Sequence, residues 1–425
     1  MGAALALSEH ADVTLFEQDQ RFGGHAHTVD VEMDGRSCPV DTGFIVYNER
    51  NYPNLTGLFD HLGVRTKLSD MSFGLSVADG QMEYACDDLD RVFAQRSNLV
   101  KPSFLIGLWD IVRFTKTAPG KQDRGELSGL TLRDWMDRER YSEWFRACFV
   151  QPFGGAIWSA PPESILEFPA DNFVSFFRNH DLMNTVLPMK RWRTVDGGSR
   201  EYVSRLIDKL GSRAVTARVM DVSRAGGRPS ITFHDGSTAS FDHVILACHA
   251  PQAATLLRDM DVQERTLLGQ FETSSNTAFL HSDTSLMPRR RKVWSSWNFL
   301  ASGRTEDAAR PAPVTYWMNR LQGIDPAIPL FVSLNPQRDI DEKLVHRTFD
   351  YAHPVMSKRA FEAQAQMPVI QGRGGIWYAG AWLGYGFHED GLVSGLTVAA
   401  SLGANPAWAK DMPKPTPAPL AVAAE

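Results

Sequence analysis

Val13-Thr-Leu-Phe-Glu17 is a short apolar run ending in an acid, and Arg21-Phe-Gly23-Gly24-His-Ala-His-Thr28 follows it closely. The run reads as a strand buried in a parallel sheet. An acid at the carboxyl end of such a strand is placed to accept hydrogen bonds from a ribose diol. Two adjacent glycines leave the backbone without Cβ atoms, so a pyrophosphate can approach closely. Together these form the second half of a dinucleotide site, which commits the chain to an α/β fold.

The first half has no counterpart. A full Rossmann unit places Gly-x-Gly-x-x-Gly about 20 residues before the acid. Here Met1 to His10 has the pattern of the connecting helix alone, small on the side that would pack on a sheet. The expectation is a chain begun at an internal methionine, its first strand truncated. An unusual start to another βαβ fold is the alternative. A signal peptide fits less well, because no basic segment precedes the apolar run and that run stops at Ser8-Glu9.

At 425 residues the chain can bury two cores. A net charge of -6 with both signs interspersed argues against a nucleic-acid surface. The dense basic run Arg289-Arg290-Arg291-Lys292 reads as a solvated loop. Cys38, Cys86, Cys148 and Cys248 are far apart without a CxxC pair, so neither a metal site nor a disulfide framework is expected. Reduced thiols in a cytoplasmic enzyme fit better. No apolar segment reaches the length of a membrane span.

Gly375-Ile-Trp-Tyr-Ala-Gly380-Ala-Trp-Leu-Gly384-Tyr-Gly386-Phe-His-Glu-Asp390-Gly391 reads as a strand, a glycine-rich loop and a helix start. Asp390 or Glu389 can cap the helix, whose positive end favours negative charge on a bound ring. A purely structural strand-loop-helix is the competing reading of this segment taken alone. Paired with the N-terminal half-motif, it implies a long two-part cofactor, a nucleotide near Glu17 and a ring near Gly391. FAD is the candidate.

The fold class expected is α/β: a Rossmann-like FAD-binding domain with an inserted α+β substrate domain. Residues 1–73, 191–265 and 361–404 carry the cofactor-domain signals, and 74–190 and 266–360 the substrate-domain signals. Residues 405–425, rich in Ala, Pro and Lys, read as a disordered tail. Within these parts the patterns predict a strand over Asp41–Tyr47, a helix over Tyr52–Leu62 and a hairpin at Gly74–Tyr84 turning on Asp79-Gly80. They also predict a helix over Glu201–Leu210, a strand over Ala214–Val222 and a buried strand over Asp242–Cys248.

On Arg21 to Thr28 and Gly380 to Gly395 the chain resembles the flavin-containing amine oxidase superfamily, which includes phytoene desaturases and protoporphyrinogen oxidases. Asp41 to Asn48, Val314 to Gln322 and Gly386 to Leu392 look like a bacterial subgroup of NAD/FAD-binding oxidoreductases. Members of that subgroup often accompany cyclopropane-fatty-acyl-phospholipid synthases, which implies work on lipid acyl chains. The resemblance implies that Glu17 binds the adenosine ribose and that Arg21, Gly23, Gly24 and Thr28 belong to the pyrophosphate loop. It further implies that Thr42 and Gly43 approach the flavin and that Val219 meets adenine through its backbone. Gly380, Ala381, Glu389, Asp390 and Gly391 would then hold the ribityl chain and the pyrimidine edge. The lysine that many amine oxidases carry in a substrate-domain strand is absent from Thr273 to His281, which weakens the case for amine oxidation.

The leading expectation is therefore an FAD-dependent oxidoreductase acting on a lipid acyl chain or similar small apolar molecule. An amine oxidase, a flavin isomerase without net redox change, and a truncated non-catalytic member are the alternatives. His388 and Tyr385 are the candidate catalytic residues, Trp382 a candidate wall of the ring site. The aromatic block Phe149–Phe177, with Trp294, Trp297, Tyr316 and Trp317, could line an apolar tunnel. His25 and His27 lack a third ligand in sequence, so no metal is expected. Lys101 to Lys116 is apolar and edged with base; packing inside the cap competes there with peripheral membrane contact. Oligomeric state is left open.

Overall fold

The computed structural model describes residues 1–415 except 34, 181, 184–191, 305, 306 and 308. The chain begins with α1 (Gly2–Leu7), β1 (Leu15–Glu17), the hairpin β2 (Thr28–Met33) and β3 (Arg36–Asp41), and β4 (Tyr47–Asn48). Then come α2 (Pro53–Leu62), β5 (Thr66–Ser69) and a second hairpin, β6 (Phe73–Val77) and β7 (Met82–Ala85). A helical block follows: α3 (Leu89–Val92), α4 (Pro102–Asp123), α5 (Leu132–Arg138), α6 (Glu143–Phe145), α7 (Gln151–Trp158) and α8 (Ala170–Asn179). Next are β8 (Trp192–Val195), α9 (Arg200–Leu210), β9 (Ala214–Thr216), β10 (Val219–Ser223), β11 (Ser230–Phe233), β12 (Thr238–Ser240) and β13 (Val244–Leu246). The chain continues through α10 (Ala250–Leu256), α11 (Val262–Leu268), β14 (Thr273–His281), β15 (Trp297–Ala301), β16 (Val314–Trp317), α12 (Met318–Gln322), β17 (Phe331–Leu334) and β18 (Val345–Pro354). It closes with α13 (Lys358–Gln364), β19 (Ile376–Tyr378) and α14 (His388–Ser401).

Outside the largest sheet, parallel strands form two separate pairs, β1 with β9 and β13 with β19. Among the described residues no strand joins the pairs into one sheet. They share a core nonetheless, since Phe16 packs against the cluster holding Val244, Leu246, Ile376 and Tyr378. Helix α1 lies on α14 and α9, its alanine face against Leu396 and Ala399. The expected strand over Ala214–Val222 is broken into β9 and β10. Ala217 N–H donates to the Glu17 carbonyl at 2.8 Å as the last rung of the β1–β9 pairing, and the chain then enters a three-stranded antiparallel sheet with β11 and β12. The expected strand over Asp41–Tyr47 is likewise interrupted between β3 and β4.

A seven-stranded sheet in the order β18-β14-β17-β16-β15-β6-β7 joins residues 73–85 to 273–354. Its hairpin turns as the Asp-Gly pair demands, with Asp79 at φ 53° and Gly80 at φ 82°. The helical block packs on this sheet through a largely aromatic cluster containing Phe104, Phe114, Trp135, Phe145, Phe149 and Phe173. Gly107 is required there: a Cβ would sit 1.8 Å from the Trp144 ring.

The expected tail is ordered in its first part. Asp411 and Asn54 exchange hydrogen bonds, Asp411 N–H to Asn54 Oδ1 at 3.0 Å and Asn54 Nδ2 to the Asp411 carbonyl at 2.9 Å. Lys410 pairs with Asp60, and the Trp408 carbonyl lies against Gly57 so closely that a Cβ there would meet it at 2.0 Å. A small residue on α2 lets this segment dock, which composition alone does not convey. The expected domain boundary at 190–191 and the tail beyond 415 lie outside the described residues.

Candidate functional site

The loops after β1, β3, β13 and β19 converge with β18 on one region. At one end of it, Glu17 closes β1, and its carboxylate accepts from Asp19 N–H at 3.1 Å. The Ala217 contact brings the start of β10, and so Val219, to the same place. Gly23 and Gly24 adopt φ 117° and 57°, a conformation that favours glycine, and a Cβ on Gly24 would meet nothing within 4 Å.

Arg21 shapes this loop from within. Its guanidinium donates to the carbonyls of Ala26 at 2.8 Å, Gly24 at 2.7 Å and Phe22 at 3.3 Å. Thr28 faces another way: its hydroxyl donates to Asp41 at 2.7 Å and accepts from Arg200 N–H at 2.9 Å. Asp41 also accepts from the N–H and hydroxyl of Ser199 and from Gln322 Nε2. One buried carboxylate thus ties β3 to the start of α9 and to α12. Burial lifts its pKa to about 6, against the opposing hydrogen bonds from Thr28 and Ser199.

Thr42 and Gly43 lie beside the histidine loop. Thr42 N–H donates to the His27 carbonyl and Phe44 N–H to the His25 carbonyl, both at 2.8 Å. A Cβ on Gly43 would stand 2.2 Å from the His25 carbonyl oxygen, so glycine is what lets the two backbones touch. Phe44 then stacks on His388 with ring centres 4.0 Å apart. Through these contacts the first glycine loop reaches the last one.

In that last loop Gly380 N–H donates to Ser394 Oγ at 2.8 Å, and the carbonyl of Ala381 accepts from Gly384 and Gly386. Asp390 accepts from Phe387 N–H at 2.8 Å and so caps its own helix, α14; burial raises its pKa to about 6. Glu389 caps a different one. Its two oxygens accept from Asn54 N–H at 2.9 Å, Asn54 Nδ2 at 3.0 Å and Leu55 N–H at 2.9 Å, the exposed donors of the first turn of α2. Gly391 lies over Ala381, where a Cβ would find its nearest neighbour at 3.6 Å.

The side chains that meet at the centre are mostly ones the motifs did not single out. The His25 ring lies 5.4 Å from His353, 5.2 Å from Tyr351 and 6.1 Å from His249. Tyr351 also bonds Thr42 Oγ1 at 2.8 Å and His27 Nδ1 at 2.9 Å. His388 Nε2 pairs with the Tyr202 hydroxyl at 2.5 Å. Burial holds His25 and His27 down to about 4 and His353 and His388 to about 3, with neighbouring imidazoles lowering His25, His353 and His388 further. All four are neutral imidazoles at neutral pH. Two signals could have revealed the missed residues: His249 lies three residues past the end of the strand Val244–Leu246, and Tyr351 and His353 share one face of β18.

Tyr385 lies beside Phe387 at the edge of the helical block. Phe176 stacks on Phe387 at 5.0 Å and approaches Tyr385 at 6.2 Å, and Trp158 Nε1 donates to the Tyr385 carbonyl at 3.2 Å. Trp382 does not wall this region. Its indole is buried against Phe271 in the core of the parallel strands and donates to the Cys248 carbonyl at 3.0 Å. Trp294 and Trp317 are also removed from it, forming a small cluster of their own with Phe331.

The arrangement fits a flavin nucleotide. His25 Nε2 is buried with no hydrogen-bond partner among the described residues, a donor or acceptor waiting for a polar ligand. Glycine backbone without Cβ lies on either side, at Gly24 and at Gly391. Among the described residues no group of three His, Cys, Asp or Glu side chains is placed to hold a metal. Burial pushes the Cys86 and Cys148 thiols up to about 12, so neither is a nucleophile at neutral pH. No helix among the described residues is long and apolar enough to cross a membrane.

The model of the flavin-containing amine oxidoreductases matches residues 1–323. The chain belongs to that family and is an oxidoreductase. No curated protein matches it in sequence. Solved structures share its fold: a putrescine oxidase (TM-score 0.67, 13% identity, covering 94% of this chain and 96% of that one) and cyclohexylamine oxidase from Brevibacterium oxydans IH-35A (0.66, 14%, 94% and 95%). A conjugated-linoleic-acid-producing (CLA-producing) fatty acid isomerase from P. acnes is similar too (0.61, 15%, 92% and 93%).

Proposed function

We propose that the chain is an FAD-dependent oxidoreductase that removes hydride from an uncharged apolar substrate, best matched by a lipid acyl chain. The observation that carries this reading is the makeup of the ring end. Tyr385 and Phe387 abut the aromatic cluster of the helical block, and the polar side opposite consists of neutral imidazoles. A cationic amine would call for a carboxylate against the ring, and Asp41, Glu389 and Asp390 are each already committed to protein donors, while Asp171, the other acid near Tyr385, stands in the first turn of α8. The absence of lysine from β14 agrees with this.

FAD, rather than a shorter flavin, is supported by the separation of roles along the site. Glu17 would take the ribose and Val219 the adenine at one end. Gly23 and Gly24 would let phosphate approach, while Thr42, Gly43, Gly380, Ala381 and Gly391 would border the ring. When bound, the flavin supplies the hydride acceptor. The protein's own part is to orient the substrate against Tyr385 and Phe387, keep water out, and offer neutral nitrogens. His388, held by Tyr202, is the group placed to receive or return a proton.

Isomerisation without net redox change is a second reading, favoured by the same lack of a strong base and by the likeness to a fatty acid isomerase. Anaerobic mixing of the flavin-loaded protein with unsaturated fatty acids or primary amines tests both readings. Loss of the flavin's visible absorbance with fatty acids alone supports the acyl reading. Product formation without bleaching supports isomerisation. Bleaching by amines alone overturns both, and a protein that stays colourless with added FAD overturns the cofactor reading.

A further inference from the structure

Helix α4 is amphipathic in an unusual sense. One side, with Phe104, Gly107, Ile111 and Phe114, is buried in the aromatic cluster. The opposite side carries Leu105, Ile106 and Trp109, exposed to 43%, 53% and 68%, and continues into Leu99 and Val100 of the preceding turn, exposed to 48% and 80%. A run of large apolar side chains on one exposed face is a feature that soluble surfaces avoid.

Base surrounds this face. Residues 89–116 hold five Lys and Arg against two Asp, in a chain whose net charge is -6. The run Arg289–Lys292 is tied to the β6–β7 hairpin and to α3, which precede this helix. Lys292 and Arg96 share Asp90, Arg290 donates to the Gly80 carbonyl, and Lys101 Nζ reaches the neighbouring Gln81 carbonyl at 3.5 Å. Arg289, Arg291 and Lys292 are exposed. The acids nearby are Asp87 and Asp88, both paired with Arg91, Asp90, Glu83 paired with Arg290, and Asp110 paired with Arg113; Lys101 and Arg289 have no ion pair among these. Two basic segments distant in sequence are thus gathered around one apolar patch.

We propose that this face docks on a bilayer bearing anionic lipid, with Leu105, Ile106 and Trp109 entering the headgroup boundary and Lys101, Arg289 and Lys292 meeting the lipid phosphates. Apolar side chains supply the anchoring and the basic rim supplies attraction that salt screens. The inference does not depend on the substrate reading above.

Flotation of the flavin-loaded full-length protein with vesicles tests it. The protein is expected to float with mixed phosphatidylcholine and phosphatidylglycerol vesicles and not with phosphatidylcholine alone. Binding should fall about tenfold in Ile106→Asp/Trp109→Asp and weaken with salt. Lys101→Glu/Lys292→Glu, which leaves the apolar residues in place, should lose the preference for anionic lipid. Flavin content and circular dichroism establish that each variant is folded. Equal flotation of wild type and the Asp variant, or no flotation at all, overturns the proposal. So does a wild-type dimer, seen by sedimentation, that the Asp variant converts to monomer.

Discussion

The two glycine loops look alike in sequence and are held by opposite charges. In the first, a cation turns inward: Arg21 gathers three carbonyl oxygens of its own loop. In the last, carboxylates do the work, Asp390 capping α14 and Glu389 capping α2. In both, the charged motif residue shapes the backbone, and neutral side chains from elsewhere fill the space between. A charged motif residue can therefore act first on its own protein backbone.

Substitutions can break or sharpen this contrast. The largest effect is expected from Trp382→Ala, which empties a core position and should cost about 3–5 kcal/mol in denaturant unfolding. Trp382→Phe should keep most of that stability and leave the flavin spectrum unchanged; a shifted spectrum would put Trp382 back at the ring. Glu389→Ala strands two backbone donors and Asn54, an expected loss of about 3 kcal/mol. Glu389→Gln, which keeps the shape and one acceptor, should recover part of it.

Acid should act mainly on the histidines between the loops. His25, His27, His353 and His388 have folded values below the ordinary 6.5, so the unfolded chain binds more protons as pH falls from 6.5 toward 4. Their contribution is full above 6.5 and is lost on acidification. Asp41 and Asp390 run the other way, because their folded values near 6 exceed 3.8; their contribution is present below 3.8 and lost as pH rises through 6. His249, His281 and His346 are lowered as well, and Asp87 and Glu389 raised, so seven imidazoles against four carboxyls give a net fall in the denaturation midpoint between pH 7 and 4. His353→Phe should make that slope shallower and Asp41→Asn should make it steeper.

The smallest effect on stability is the sharpest test of the last loop. Gly391 sits within α14 with room for a methyl group, so Gly391→Ala should stabilise the protein by about 0.5–1 kcal/mol. The same methyl group would occupy the border of the proposed ring site and weaken flavin binding. Stability and affinity moving together would show that Gly391 serves the helix alone.

Strands and helices with strong local patterns were legible in the sequence: the parallel strand ending at Glu17, though half-buried rather than buried as expected, the Asp-Gly hairpin, and α2 and α9 within a residue of expectation. The break near Ala217 was not, because it falls where pairing with β1, about 200 residues away, ends and pairing with β11 begins. For the site, the two glycine loops were legible as a pair. The histidine centre was not, since His25, His249, His353 and His388 come from four separate segments that only the fold assembles. Trp382 misled for a related reason, as a loop position says nothing of which side its indole takes.

Asn54 gives its amide to Glu389 with one hand and clasps Asp411 with the other. Cutting the chain after Gly403 would therefore do more than trim a surface strip. It would unfasten α2 on its outer side and leave Glu389 gripping a helix free to rock, so that damage at one edge of the molecule would be felt as slack at its centre.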